Sequence, residues 1–110
     1  MEKEMRIYIT PNRKQPFSEW LASIKDKTTE ARIRRRLDRL SLGHYGDVKG
    51  IGDGICELRL QFGSGYRIYF GELDNKIVLL LCAGDKGTQS RDIQKAKIYW
   101  HEFMGRKSDE

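Results

Sequence analysis

The stretch ICELRLQFGSGYRIYFGELDNKIVLLLCA, residues 55–83, decides the fold, because it carries three strand signals separated by two short turns. Residues 55–62 and 66–70 alternate apolar and polar side chains, which predicts strands with one face toward a core. Residues 77–83 are apolar throughout, which predicts a central strand covered on both faces. The turns, Gly-Ser-Gly and Asp-Asn, are tight, so the three strands should form an antiparallel meander.

The chain before this stretch predicts one strand and two helices. Residues 5–10 are rich in β-formers and end at a proline. Apolar side chains at i, i+3, i+4 and i+7 then predict a helix over residues 17–24. A second helix is predicted over residues 29–42, with Gly43 as the glycine that ends it. The glycine-rich stretch that follows has room for a short strand at residues 47–51.

After the meander, residues 88–103 have the apolar spacing of a last helix. The predicted order is β, α, α, three or four β, and α. It indicates a single α+β domain over residues 1–110. In this fold an N-terminal strand and a helical hairpin pack on a twisted antiparallel sheet, and a C-terminal helix completes the domain.

The composition indicates a polyanionic partner. The 110 residues contain 21 lysines and arginines against 16 acids, a net charge of +5. Such an excess favours nucleic acid, although a basic protein without that role remains the alternative. No apolar run approaches the roughly 18 residues that span a bilayer, and no secretory signal opens the chain, so a cytoplasmic location without membrane association is expected. The scattered Cys and His residues do not predict a metal site.

Arginines alternate with apolar residues along the predicted strands. If the apolar side chains face the helices, parity directs Glu57, Arg59, Arg67 and Tyr69 to the opposite, exposed face of the sheet. Neighbouring strands would then set Arg59 beside Arg67. Two like charges side by side need an anion between them, which either Glu57 or a bound phosphate could supply. The alternative is an ordinary solvated face with a Glu57–Arg59 surface pair.

Other side chains extend this candidate site. Lys86 lies in a glycine-rich loop between the central strand and the last helix, where the first N–H groups of that helix also favour an anion. Tyr69 and Tyr99 are aromatic residues that can stack on a base or donate a proton. For Tyr99 the alternative is a half-buried packing role. His44 and His101 have no Ser or Cys at a recognisable nucleophile turn, so the sequence gives little support for a Ser/His or Cys/His triad.

The second predicted helix carries a run of arginines, from which we expect a sequence-independent grip on phosphates. The alternative is a solvated helix face on which Glu30 and Asp38 are partial partners. The arginines predicted to contact RNA are Arg32, Arg35, Arg36 and Arg39.

Several motifs in this order resemble the RelE/ParE toxin superfamily, and more narrowly its HigB-like branch of addiction module killer proteins. The resemblance extends from about residue 8 to residue 100. The motifs are Glu57-Leu-Arg59, Gly65-Tyr-Arg67-Ile-Tyr69-Phe70, Leu79-Leu-Leu-Cys-Ala-Gly-Asp-Lys86, Thr88-Gln89, Asp92-Ile93, Ala96 and Tyr99-Trp100.

The resemblance implies a fold, an activity and partners. Members have two N-terminal helices on a twisted antiparallel sheet. Many cut mRNA in the ribosomal A site, whereas ParE-like members poison DNA gyrase and cut no RNA. A cognate antitoxin, often a DNA-binding protein, neutralises them. By position, Arg67 matches the strand arginine of the family and Lys86 matches the basic residue before its last helix. Arg59 and Lys49 match other basic positions, while neither histidine fits the active-site histidine of some members.

We therefore expect the toxin of a type II toxin–antitoxin pair, a ribosome-associated mRNA endonuclease that needs neither metal nor cofactor. The RNA's own 2′-OH would be the nucleophile, so the protein must align it and stabilise charge on the phosphate. A ParE-like gyrase inhibitor is the alternative, and a basic binding module without chemistry is the third possibility. The residues predicted to be catalytic are Arg67, Lys86, Arg59 and Tyr69, and those predicted to contact RNA besides the helix arginines are Lys49 and Tyr99.

Overall fold

The structure, a computed structural model, describes residues 2–108, and within them it contains five strands and three α-helices. The strands are β1 (Glu4–Ile7), β2 (Val48–Gly50), β3 (Ile55–Arg59), β4 (Arg67–Leu73) and β5 (Ile77–Gly84). The helices are α1 (Pro16–Ser23), α2 (Lys27–Ser41) and α3 (Gln89–Ser108), the last preceded by a 3₁₀ turn at Lys86–Thr88. The predicted α+β class is confirmed, including the short strand in the glycine-rich stretch.

The five strands form one sheet in the order β1-β5-β4-β3-β2. Strands β2 to β5 are an antiparallel meander, as the tight turns predict. Strand β1 pairs with β5 in parallel, so the prediction of a wholly antiparallel sheet is wrong at this edge. The reason is the connection: β1 reaches the sheet through two helices and three further strands rather than through a hairpin, and such a crossover permits parallel pairing.

The helix ends follow local chemistry. Pro16 occupies the first turn of α1, where its missing N–H costs nothing. Helix α2 begins two residues earlier than predicted, because the Asp26 side chain accepts a hydrogen bond from the Thr28 N–H at its start. Gly43 has a φ of 87°, which suits the glycine that follows a helix end. Helix α3 runs five residues beyond its predicted end, to Ser108.

Helices cover both faces of the sheet. On one face α1 and α2 bury Phe17, Leu21, Ile33 and Leu40 in a core shared with β3, β4 and β5. On the other face α3 buries Ala96 and Trp100 in a second core. The prediction that the polar face of β3 and β4 is exposed is therefore wrong, because the apolar side of α3 occupies it. None of the helices within residues 2–108 is long and apolar enough to cross a membrane.

Candidate nucleic-acid interface

Arg59 and Arg67 are direct cross-strand partners in the β3–β4 pair, as the meander predicts. Their side chains lie where the two strands end, at the rim of the surface that α3 covers. The Arg59 side chain is 31% exposed and the Arg67 side chain 14% exposed. Two arginine side chains thus start from paired positions in the sheet and are both partly exposed.

The anion between the two arginines is Glu57, which is fully buried. Its carboxylate accepts hydrogen bonds from three side chains: Arg59 Nε at 2.9 Å, Gln89 Nε2 at 2.9 Å and Tyr69 Oη at 3.1 Å. Arg67 Nε lies 3.7 Å from Glu57 Oε2 and has no hydrogen-bond partner among residues 2–108. We call this group the strand-end cluster: Glu57, Arg59, Arg67, Tyr69 and Gln89.

The cluster keeps Glu57 ionised. Burial alone would raise the pKa of this carboxyl group, but the hydrogen bonds from Gln89, Arg59 and Tyr69 lower it below its usual value of 4.5. The Glu57 carboxylate in turn raises the pKa of Arg59. Both arginines therefore have the negative charge of Glu57 beside their Nε atoms, inside the protein.

Tyr69 does not reach the surface. Its side chain is fully buried under α3 and its hydroxyl donates to Glu57, so the predicted position on an exposed face is wrong. Burial raises the pKa of the Tyr69 hydroxyl far above its usual value, with the Glu57 charge adding to the effect. Tyr69 therefore cannot stack on a base in this arrangement. Its hydrogen bond instead holds the Glu57 carboxylate in place.

Lys86 and Arg67 meet at Gly65. Arg67 Nη1 donates a 2.9 Å hydrogen bond to the Gly65 carbonyl oxygen. A Cβ placed on Gly65 would lie 3.6 Å from this Nη1 and 3.5 Å from Lys86 Cβ. The Arg67 guanidinium and the stem of the exposed Lys86 therefore both border Gly65. Lys49, also exposed, lies directly opposite Glu57 on edge strand β2, so it projects from the same face of the sheet.

The arginines of α2 form a second basic group. With Phe62 they line a shallow pocket of about 180 Å³. The Arg32 guanidinium lies 3.9 Å from the centre of the Phe62 ring, a cation–π contact. Arg36 donates to the carbonyl oxygens of His44 and Tyr45, and burial lowers its pKa. We call this group the α2 arginine surface: Arg32, Arg35, Arg36 and Arg39.

The two basic groups are neighbours. The backbone N–H of Arg59 donates to the Asp47 carbonyl oxygen. Two residues further along the chain, the side-chain amide of Gln61 donates to Asp47 Oδ2 at 2.6 Å. The next residue, Phe62, contacts Arg32 on the other face. The strand-end cluster and the α2 arginine surface therefore lie on opposite faces of one end of the sheet.

The remaining predicted residues lie elsewhere. Tyr99 is half-buried and its ring stacks on Tyr8 with 5.1 Å between centroids, which fits the packing alternative. Glu30, an expected partner of the α2 arginines, forms a salt bridge with Arg34, which is not part of the α2 arginine surface. His101 faces Asp53 at 3.4 Å on the surface. Among residues 2–108 no group of three or more His, Cys, Asp or Glu side chains is arranged to hold a metal ion.

No family model matches the chain. A protein of Haemophilus influenzae, named only as an uncharacterized protein, is 44% identical to it over 87 residues. The match covers 79% of this chain and 88% of the other protein. This chain belongs to the same family as that protein. Because the relative's name describes no activity, the function of this family has to be argued from the site itself.

Two residues of this family member became apparent only in the structure. Gln89 opens α3, and its amide reaches across to the carboxylate of Glu57 on β3. Asp92, one turn further along, is 5% exposed. Both belong to the motifs that carry the family resemblance, but a polar residue near a helix start is also typical of capping, so the sequence did not indicate that Gln89 binds Glu57 or that Asp92 is buried. Only the packing of α3 on the sheet gives them these positions.

Proposed function

We propose that the protein is the toxin of a type II toxin–antitoxin pair, a RelE/HigB-like endoribonuclease that cuts mRNA on the ribosome. The observation that carries the proposal is the pairing of Arg59 with Arg67 at the strand ends, with Lys86 bordering the same glycine, Gly65, as the Arg67 guanidinium. Guanidinium groups bind phosphate with two parallel N–H donors, which suits recognition of a phosphodiester.

The proposed reaction uses the substrate's own nucleophile. The 2′-OH gives up its proton to solvent and its oxygen attacks the adjacent phosphorus. The bond to the 5′ oxygen of the next nucleotide breaks and that oxygen takes up a proton, so the products end in a cyclic phosphate and a 5′-hydroxyl. Arg67, and Arg59 beside it, would stabilise the charge that grows on the phosphate oxygens. Lys86 would add positive charge at the leaving oxygen or supply its proton. A reaction of this kind requires no metal or cofactor.

Buried groups of the cluster act as positioning residues in this proposal. Glu57 holds Arg59 through a 2.9 Å hydrogen bond and faces Arg67 Nε at 3.7 Å. Tyr69 and Gln89 hold Glu57 in turn. A catalytic donor works best when its orientation is fixed before the reaction, and a buried carboxylate with several donors supplies such an anchor.

Other exposed cations would bind RNA without taking part in the chemistry. Lys49 and the α2 arginine surface flank the strand-end cluster and would contact phosphates of mRNA or ribosomal RNA. The proposal includes a cytoplasmic location, since translating ribosomes are the target. It also includes a cognate antitoxin, expected to be a DNA-binding protein.

An Arg67→Ala variant tests the proposal. With translating ribosomes and purified protein, we expect cleavage to fall about 10²–10³-fold, which corresponds to about 3–4 kcal/mol of transition-state stabilisation. Mapping of 5′-hydroxyl mRNA ends, with and without translation, is the measurement. Arg34→Ala is the matched control, because Arg34 pairs with Glu30 on the surface of α2 and should leave cleavage unchanged. If Arg67→Ala cuts translated mRNA at the wild-type rate, the proposed site is wrong.

A ParE-like inhibitor of DNA gyrase is the second candidate. The burial of Tyr69 favours it, because the tyrosine predicted to donate a proton lies under α3. Such a protein would cause DNA damage and inhibit supercoiling while cellular mRNA stays intact. A basic binding module would associate with RNA and neither cut it nor inhibit gyrase. The same 5′-end mapping, run beside a supercoiling assay, separates the three.

A further inference from the structure

A second recess lies at the far side of β5 from β4, between α1 and α3. It has a volume of about 420 Å³, within the range of roughly 300–1,000 Å³ that is common for small-molecule sites. Neither Arg59 nor Arg67 lines it. The lining includes two aromatic rings, three cations and a buried acid: Trp20, Tyr99, Lys14, Arg91, Lys95 and Asp92.

Asp92 is the unusual group in this cleft. Its Oδ2 accepts a hydrogen bond from the Thr88 hydroxyl, and Oδ1 is not among the fully buried side-chain atoms of residues 2–108 that lack a partner. In the same part of the chain no Lys, Arg or His nitrogen comes within 4 Å of it, although the side chain is almost fully buried. A ligand that brings N–H donors into the cleft would supply further hydrogen bonds to this carboxylate, which can accept more than the one from Thr88.

The cleft adjoins the proposed catalytic site. Gly84 of β5 is the cross-strand partner of Arg67 in β4. A Cβ on Gly84 would collide with Asp92 Oδ2 and with Thr88 Oγ1, so only glycine lets the carboxylate pack on this strand. The Asp92 carboxylate therefore lies one strand away from Arg67, a spacing of about 5 Å between neighbouring strands.

We propose that this cleft binds one nucleobase of the RNA substrate, a base that presents two adjacent N–H donors, as guanine does at N1 and N2. The Asp92 carboxylate accepts both, since its two oxygens offer about four acceptor positions and Thr88 uses one. This inference rests on the proposed function, because an RNA held at Arg67 would bring a neighbouring base to the cleft. Adenine and cytosine present a single amino group and are bound less well.

A nucleotide fits the cleft better than a cationic side chain of a protein partner. Lys14, Arg91 and Lys95 line it and would bind the phosphates of a nucleotide while repelling an arginine or lysine. The other acids of the lining are Glu19 and Asp85, and Asp85 is already used, since it caps the turn before α3 by accepting from Thr88 N–H.

The experiment titrates the full-length protein with guanosine, inosine and adenosine 5′-monophosphates, using calorimetry for affinity and amide NMR shifts for location. We expect the guanine nucleotide to bind about 10-fold more tightly than the adenine nucleotide, with inosine between them because it lacks the 2-amino group. The shifts should centre on Gly84 and Thr88. Equal affinities for the three nucleotides, or shifts confined to the α2 arginine surface, would overturn the proposal.

Variants complete the test. Asp92→Asn replaces one acceptor oxygen by a donor and should reduce the guanine preference to about 2-fold or less. Asp38→Asn, an exposed acid on α2, is the control and should keep the preference. If Asp92→Asn does not fold, the wild-type titration decides alone. Tighter binding of arginine methyl ester than of the guanine nucleotide would indicate a protein partner and overturn the proposal.

The nucleotide titration gives its result independently of the RNA cleavage assay. Arg67→Ala should keep the guanine preference while it loses activity. Wild-type protein that prefers guanine but cuts no RNA would contradict the proposed function and leave the base site standing. Wild-type protein that cuts RNA without any base preference in the titration would contradict this inference alone.

Discussion

Two groups of arginines lie at the same end of the sheet and are held in different ways. In the strand-end cluster, the fully buried Glu57 carboxylate stands behind Arg59 and Arg67. On the α2 arginine surface, Arg32 rests on an aromatic ring and Arg36 on backbone carbonyls, and none of its arginines forms a salt bridge within residues 2–108. The first group is fixed by a charge inside the fold, and the second lies on a solvated helix.

Arginine can serve two purposes, depending on whether a buried acid lies beside it. A guanidinium with a buried counter-ion has a fixed orientation, which suits stabilisation of a single developing charge. A guanidinium on an exposed helix is screened by salt and suits contact with a phosphate backbone of any sequence. The comparison therefore assigns chemistry to the strand ends and general affinity to α2, and each part of this assignment can be tested.

The largest expected effect comes from removing the buried charge. Glu57→Gln should lower the free energy of unfolding by about 3 kcal/mol, since it leaves Arg67 and three hydrogen-bond donors without their anion. The measurement is urea denaturation at pH 7. Glu30→Gln is the matched control, because Glu30 bonds Arg34 at 2.9 Å on the exposed face of α2. It should cost about 0.5 kcal/mol or less.

Equal losses in the free energy of unfolding for Glu57→Gln and Glu30→Gln would contradict the difference between the two arginine groups. They would mean that the strand-end cluster is no more than a surface ion pair. A loss of stability in Glu57→Gln together with unchanged cleavage would mean that the carboxylate stabilises the fold without positioning Arg59 and Arg67.

A smaller effect should appear with pH. The pKa of Glu57 lies below its usual value of 4.5 in the folded state, so folding favours the ionised form. The stability from this group is fully present above about pH 4.5 and is lost as the pH falls through the lowered folded pKa. Denaturation between pH 3 and 7 should show a steeper acid-side loss for the wild type than for Glu57→Gln. Parallel curves for the two proteins would contradict the shift.

Much of the fold could be predicted from alternation and turns. The polar and apolar positions of β3 and β4 fixed which residues share a face, and this alone made Arg59 and Arg67 neighbours. What alternation cannot tell is whether a helix covers the polar face. The continuous apolar run of β5 indicated cover on both sides of that strand, and α3 extends this cover over Glu57 and Tyr69.

The candidate site was predictable in its cations and not in its buried groups. Arg59 and Arg67 are neighbours because the strands pair, and Arg67 and Lys86 both border Gly65 in the connecting loop. Tyr69 was predicted on the exposed face because alternation places it opposite the apolar side chains of its strand, yet the packing of α3 buries it. Gln89 and Asp92 join the site area only through that packing, which depends on contacts distant in sequence.

The smallest effect should come from single arginines of the α2 arginine surface. Arg35→Gln should leave the fold and the cleavage chemistry intact, since Arg35 is exposed and lines the pocket beside Phe62. It should weaken binding to single-stranded RNA of any sequence and reduce the slope of log K against log salt by about 0.7, the share of one phosphate contact. Arg34→Gln gives the baseline. A salt series of binding curves is the measurement. If Arg35→Gln instead abolished cleavage at unchanged RNA affinity, the chemistry would belong to the α2 arginine surface. The roles assigned to this surface and to the strand-end cluster would then have to be reversed.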